Sequence, residues 1–311
     1  MRNISISAVI AAVSVLVAGR AEAQEAMQFA AIGKNIQEGG PAALFASPAD
    51  KVFQEHRTEV SASYLSYCPD GVPASYINAS GSYLVLENLS VSAAFTYGTG
   101  ENYETVNTGG FSTGPFTPSY YEASAGVSYR PFRDISFGVN LEYLGEKLSS
   151  DFSAGAFAAD VAAMWNHSFG KSSVKCSAGV FDIGNKVKSA SGDKFRLPSS
   201  ARLAAGYEFR PSSLHTVGAG LQGECYFSGN ISATAGVRYA YARILTLEAV
   251  YHYGDKTVVP THVSLGAGIN VFGFVRKSSK SLCLNFRYLL PASSEGDFIK
   301  GSFHGGISFG F

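Results

Sequence analysis

Ile135-Ser136-Phe137-Gly138-Val139-Asn140-Leu141-Glu142-Tyr143 decides the fold. Apolar residues hold every second position, and Ser136, Gly138, Asn140 and Glu142 fill the places between. Side chains of a strand point alternately to its two faces, so this segment has one greasy side and one wet side. The pattern recurs along the chain. Leu89, Val91, Ala93, Phe95 and Tyr97 alternate with Ser90, Ser92, Ala94 and Thr96. Ile231 to Tyr239, Val263 to Val271 and Leu282 to Tyr288 behave alike. After residue 57 no comparable run has the i, i+3, i+4 spacing of a helix. The chain is all-β.

The alternation predicts strands near 58–67, 74–84, 88–98, 119–130, 134–145, 156–168 and 172–182. It predicts further strands near 199–209, 213–225, 229–240, 243–254, 260–273, 279–289 and 300–311. That is about fourteen strands of about ten residues, the length a tilted strand needs to cross a bilayer. Tyr97, Tyr129, Tyr143, Phe209, Tyr239 and Tyr253 fall near strand ends, where amphipathic rings favour the headgroup level. The positions between the apolar ones are mostly Gly, Ser, Ala and Asn. That suits a crowded polar lumen better than a surface in bulk water, which would carry Lys and Glu. Links after even strands are short and several after odd strands are long, notably 99–118, 146–155, 183–198 and 290–299. Outer-membrane barrels have short periplasmic turns and long external loops. The expected fold is a transmembrane antiparallel β-barrel of about fourteen strands.

Composition agrees. Lys+Arg and Asp+Glu both number 24, so no basic excess marks a nucleic-acid binder. Hydrophobic residues make up 46% and charged residues 15%, which excludes a disordered chain.

Residues 1–23 read as a cleaved signal peptide: Arg2, an apolar run from Ile4 to Ala18, then Ala21-Glu22-Ala23. The expected location is the cell outer membrane. Residues 24–57 break the strand pattern, and Ala26, Phe29, Ile32 and Ile36 hint at a short amphipathic helix. A barrel of this size has a lumen too wide for its own side chains to fill. Residues 24–57 are therefore expected as a plug or hatch inside a barrel formed by residues 58–311.

No catalytic residue, cofactor or metal site is expected. The six His residues are scattered and none lies in a tight ligand spacing. Cys68, Cys176, Cys225 and Cys283 match no zinc signature, and their role as bridges or as small space-filling side chains stays open. Glu122, Glu142, Arg202, Glu208, Arg238, Glu248, His252 and Arg287 fall on the polar face. They form either a charged constriction or cross-strand ion pairs that satisfy lumen charges. Tyr103, Phe111 and Phe116, in a Gly- and Thr-rich loop, are candidate anchors for a partner.

Gly39-Gly40-Pro41-Ala42-Ala43-Leu44-Phe45-Ala46-Ser47-Pro48-Ala49 resembles the N-terminal segment of the PorV/PorQ family and its FadL-like relatives. In those proteins a Gly-rich stretch leads to Asn-Pro-Ala; Ser47 stands here for the Asn. Residues 120–129, Phe181-Asp182-Ile183-Gly184-Asn185 and Leu197-Pro198-Ser199-Ser200-Ala201-Arg202-Leu203 are similar to the same family. Asp182 takes the place of its usual Asn. The resemblance implies a FadL-like barrel acting in type IX protein secretion and in attachment of cargo to the cell surface. Its implied partners are secretion-system components and cargo C-terminal signal domains, in a setting of outer-membrane lipid and with no nucleic acid. It transfers no binding residue. The alternative is a FadL-type passive channel for hydrophobic solutes.

Overall fold

The computed structural model describes residues 47–67, 74–106, 112–147, 153–188, 194–254, 261–275, 279–292 and 301–311. Residues 1–23, expected as a signal peptide, residues 24–46 of the expected plug, Cys68 and Phe111 lie outside them. The strands in chain order are β1 (Thr58–Tyr67), β2 (Ala74–Leu86), β3 (Leu89–Thr99), β4 (Tyr103–Val106), β5 (Ser112–Phe116) and β6 (Ser119–Phe132). Next come β7 (Ile135–Lys147), β8 (Ser153–Phe169), β9 (Ser172–Gly184), β10 (Val187–Lys188), β11 (Lys194–Phe195) and β12 (Ser200–Phe209). The last are β13 (His215–Tyr226), β14 (Ile231–Tyr241), β15 (Leu245–Tyr253), β16 (His262–Asn270), β17 (Ser281–Pro291) and β18 (Phe303–Gly310).

Fourteen of these strands close into one antiparallel barrel, in which each pairs with its neighbours in sequence. The seam is β1 against β18, from Glu59 opposite Gly310 to Ser66 opposite Phe303. Closure leaves no strand edge, so the wall's backbone donors and acceptors are used within it. Each expected strand has its counterpart. Within the long links 99–118 and 183–198 two small hairpins form, β4–β5 and β10–β11, each a two-stranded sheet separate from the barrel wall.

One strand ends early. The alternation through Val271 predicts a strand to 273, yet β16 stops at Asn270 and Val271–Phe274 turn into a 3-10 helix. The Asn270 side-chain oxygen accepts the backbone N–H of Phe272 and of Leu282, both at 3.2 Å. A side-chain cap of this kind competes with the strand ladder and ends it. The link that follows is correspondingly longer than the other turns at that end of the barrel.

The parity reading holds on the outside. Phe137, Val139, Leu141 and Tyr143 of β7 point away from the barrel, as do Val91, Phe95 and Tyr97 of β3. Five of the six girdle aromatics are exposed; Tyr239 is half-buried, and its hydroxyl meets Nδ1 of His215 at 2.7 Å. Among the described residues no helix is long and apolar enough to cross a membrane. An exterior made of large apolar side chains costs free energy in water and none in hydrocarbon.

That argument is testable at Leu141, which is 64% exposed in mid-strand. Leu141→Arg is expected to lower stability in a bilayer by about 2–4 kcal/mol if the position sits at the midplane. Urea titration of the barrel refolded into liposomes measures it. A change within about 0.5 kcal/mol, the usual effect of a water-exposed substitution, would speak against a lipid-facing wall.

Candidate functional site in the barrel lumen

Alternation makes the face opposite the apolar exterior the lumen wall. The expectation of a polar lumen holds only in part. At the end of the barrel carrying the long links, Leu65, Tyr76, Tyr120, Leu144, Tyr226 and Leu289 form one buried apolar cluster. Val187 and Leu197, from the link that carries the β10–β11 hairpin, are buried in the same cluster. These residues share parity with the polar in-facing positions. The wide bore explains them, because only large side chains reach across it.

Charges lie beside this cluster. The Tyr120 hydroxyl donates to Oε2 of Glu122, two residues along the same face. Asn140 Nδ2 donates to Glu142 Oε1 at 2.7 Å. Glu146 and Asp160 are also buried on the lumen side, and the carboxylates of Glu142, Asp160 and Asp182 lie within 4.8 Å of one another. A β-bulge brings them together. Ala159 pairs with Ile183 and Val161 with Val180, so Phe181 and Asp182 both oppose Asp160. Asp182 has φ +53°, unusual for a residue other than glycine, and its N–H donates to Asp160 Oδ1 at 2.8 Å. Its carbonyl accepts the Ser199 hydroxyl at 2.6 Å.

Two of the three expected lumen arginines, Arg202 and Arg287, form cross-strand ion pairs. Arg202 on β12 lies directly opposite Glu224 on β13, and the two meet at 3.2 Å in a buried ion pair. Glu224 also accepts the Ser200 hydroxyl at 2.6 Å, and the Arg202 guanidinium stacks 4.2 Å over the Phe181 ring. Arg287 on β17 reaches Glu248 on β15 at 3.4 Å. The strand between them presents Gly266, where a Cβ would already stand 3.6 Å from Glu248 Oε2. A longer side chain would cut across the pair. Arg238 is opposite Glu248 in register. His252 stacks on His262 at 5.0 Å and shares a 2.9 Å hydrogen bond, through Nδ1, with Thr234.

Glu208 does not join this group. It pairs with exposed Arg210 at 2.8 Å, at the rim by the short turns. Tyr103 packs edge-on to Phe116, ring centroids 5.6 Å apart, in the β4–β5 hairpin, and Lys147 lies 5.7 Å over the Phe116 ring. Parity reasoning missed Glu146, Asp160 and Glu224, although each occupies an in-facing position that the alternation identifies.

The opposite end of the lumen is occupied by residues 47–57. Ser47 Oγ accepts the Ala49 N–H at 3.2 Å, a local turn that its hydroxyl permits. The Ala49 carbonyl accepts Ser136 Oγ at 2.6 Å and Ser128 Oγ at 3.2 Å, which fastens the turn to β6 and β7. Pro48 lies so close to β7 that a Cβ on Gly138 would stand 2.2 Å from its carbonyl carbon. Only glycine fits there. Ala49 packs with Ala162, Met164, Phe181 and Phe53. Arg130 covers the Phe53 ring at 5.3 Å, Asp50 pairs with Lys175 at 3.7 Å, and Gln54 accepts the Ser82 hydroxyl at 2.6 Å.

No family model matches the sequence. No curated protein matches it. Solved structures match its fold. The Pseudomonas putida toluene transporter TodX superposes with a TM-score of 0.54 at 14% identity, over 88% of this chain and 94% of that one. The Ralstonia pickettii toluene transporter TbuX gives 0.50 at 9% identity, over 87% and 92%. A TodX deltaS2S3 mutant, described as a monoaromatic hydrocarbon channel, gives 0.50 at 13%, over 87% and 93%. The fold is that of FadL-like barrels.

Two substitutions probe these contacts. Glu224→Gln leaves the Arg202 charge buried without its counter-charge and is expected to cost about 3–5 kcal/mol in urea unfolding. Gly138→Val is expected to expel residues 47–53, read as new protease cleavage within them while the barrel keeps its heat-modifiable band shift. Unchanged protection would show that the segment is not held by that contact.

Proposed function

We propose that this chain is an outer-membrane channel through which hydrophobic solutes pass without chemical change. One observation carries the reading. Behind a wall whose outside suits lipid, the lumen holds a buried apolar cluster at the long-link end rather than the polar lining of a water-filled pore. Binding sites for small molecules are concave and mostly apolar with a few placed polar groups, which describes this end of the bore. The fold match to barrels described as toluene transporters supports the same reading. Residues 1–23 would direct export, and residues 24–57, of which 47–57 pack against the inner wall, would act as the hatch. No step needs a nucleophile or a cofactor. Passage needs only that the apolar cluster part and the hatch yield.

Uptake measurements test this. A host outer membrane lacking such channels, given this chain, should take up labelled toluene several-fold faster than host alone, with uptake of a sugar of similar mass unchanged. Equal toluene uptake with and without the chain would overturn the proposal.

The secretion role implied by the PorV/PorQ resemblance stands second. It is favoured by the β4–β5 hairpin, where exposed Tyr103 packs edge-on to Phe116 beyond the wall, an aromatic surface of the kind partners use. Under that reading, secretion-system components and cargo C-terminal signal domains are the partners. Deleting the gene would strand such cargo in the periplasm; normal surface display would remove the reading.

A further inference from the structure

The outward wall is not evenly covered. On β8, β9, β12, β13, β14 and β15 the outward residues Trp165, Cys176, Ala205, Leu221, Ala235 and Tyr251 stand side by side in register. In the next outward row Leu203 is flanked by Ala163, Ala178, Gly223 and Ala233. The small side chains, held between Trp165 on one flank and Tyr251 on the other, leave a groove of about 990 Å³. That is the upper end of the size range of small-molecule sites. The polar residues between the two rows, Ser177, Gln222 and Thr234, turn their side chains to the lumen, so those that face the groove are apolar.

In a bilayer only lipid or another membrane protein reaches such a groove, and what stands at its short-turn end decides between them. The two strands that cross its middle, β9 and β12, lead to Lys171 and Arg210 at the rim. Lys171 stands five residues before Cys176 and Arg210 five after Ala205, about 16 Å along the strands. At a strand tilt near 40° the groove lies about 12 Å below the rim, within the ~15 Å that one leaflet's chains cover. Both cations are exposed, and their turns are joined. The Arg210 N–H donates to the Lys171 carbonyl at 2.7 Å, and Lys171 Nζ donates to the Pro211 carbonyl at 2.9 Å. Nζ keeps two further donors. Arg210 meets Glu208 at 2.8 Å, so two positive charges stand here against one negative. In the neighbouring turn Asp134 is engaged with His167 at 2.9 Å, while Arg133 is exposed. Between rim and groove lies Tyr207, whose hydroxyl shares a 2.8 Å hydrogen bond with Ser172, an amphipathic ring at the headgroup level. Cations at that level above an apolar groove are matched by one molecule that carries a negative head and an apolar chain at the same spacing.

We propose that the outer groove is a binding site for an anionic glycerophospholipid. Its phosphate meets Lys171 and Arg210, and an acyl chain runs past Tyr207 to lie over Cys176, Ala205 and Gly223. The site is on the far side of the wall from the lumen, so it goes beyond the channel reading and does not rest on it.

The test titrates the full chain, in a maltoside detergent, with phosphatidylglycerol or phosphatidylcholine carrying the same palmitoyl and oleoyl chains. Native mass spectrometry reads the bound lipid. Phosphatidylglycerol is expected to bind at least about fivefold tighter. Lys171→Gln with Arg210→Gln should bring its affinity down to that of phosphatidylcholine. Lys171→Gln alone should remove part of the difference, should the double variant fail to give the heat-modifiable band. Ala205→Phe fills the groove from an exposed position and should weaken both lipids several-fold while leaving their ratio unchanged. Equal wild-type affinities, a preference that survives both head substitutions, or wild-type binding by Ala205→Phe would each overturn the site. Lys186→Gln with Arg196→Gln, exposed at the long-link end, should change neither lipid's binding. Loss of the preference in that variant would put the headgroup at the other rim and overturn the assignment.

Discussion

Backbone hydrogen bonding sets the terms for everything else in this molecule. A strand set in hydrocarbon has no water to satisfy its N–H and C=O groups, so each must find a partner in a neighbouring strand. Only a closed ring leaves none over. Closure in turn fixes parity, because a strand with lipid on one side and lumen on the other must alternate its chemistry at every residue. The seam between β1 and β18 is therefore as important as any side-chain contact, and it is made with the same regular register as the internal ladders.

Parity explains how much was legible in the chain. Each barrel strand was readable because the outward half of the pattern answers to one uniform solvent. The inward half answers to nothing uniform. Leu65, Leu144 and Leu289 share the parity of Ser, Gly and Glu, and nothing local in sequence marks them as a common cluster. Bore width and the inward course of the link that carries Val187 and Leu197 bring them together, and both are properties of the closed ring. Arg202 and Arg287 were found as in-facing charges, but their partners Glu224 and Glu248 depend on register. The Asp182 bulge was beyond reach, since a left-handed Asp in a strand has no periodic signature. Asn270 shows the opposite failure: the alternation ran on past a side chain that had already ended the strand.

Glycine serves the interior in two distinct ways. At Gly138 the missing side chain lets another segment of backbone lie against the wall. At Gly266 it lets two long side chains from flanking strands meet over the strand between them. Neither position has a positive φ, so neither is explained by conformational freedom. Both are explained by what passes over them.

The N-terminal segment has a mechanical consequence at its point of attachment. Thr58 exchanges both backbone hydrogen bonds with Phe311, each at 3.0 Å, where residues 47–57 join the wall. The tether of the inner segment is thus also the lowest rung of the ladder uniting first and last strands. Traction on that tether would bear on this rung before any other. Fraying of the rung would give the segment slack while the remaining staves kept their pairing.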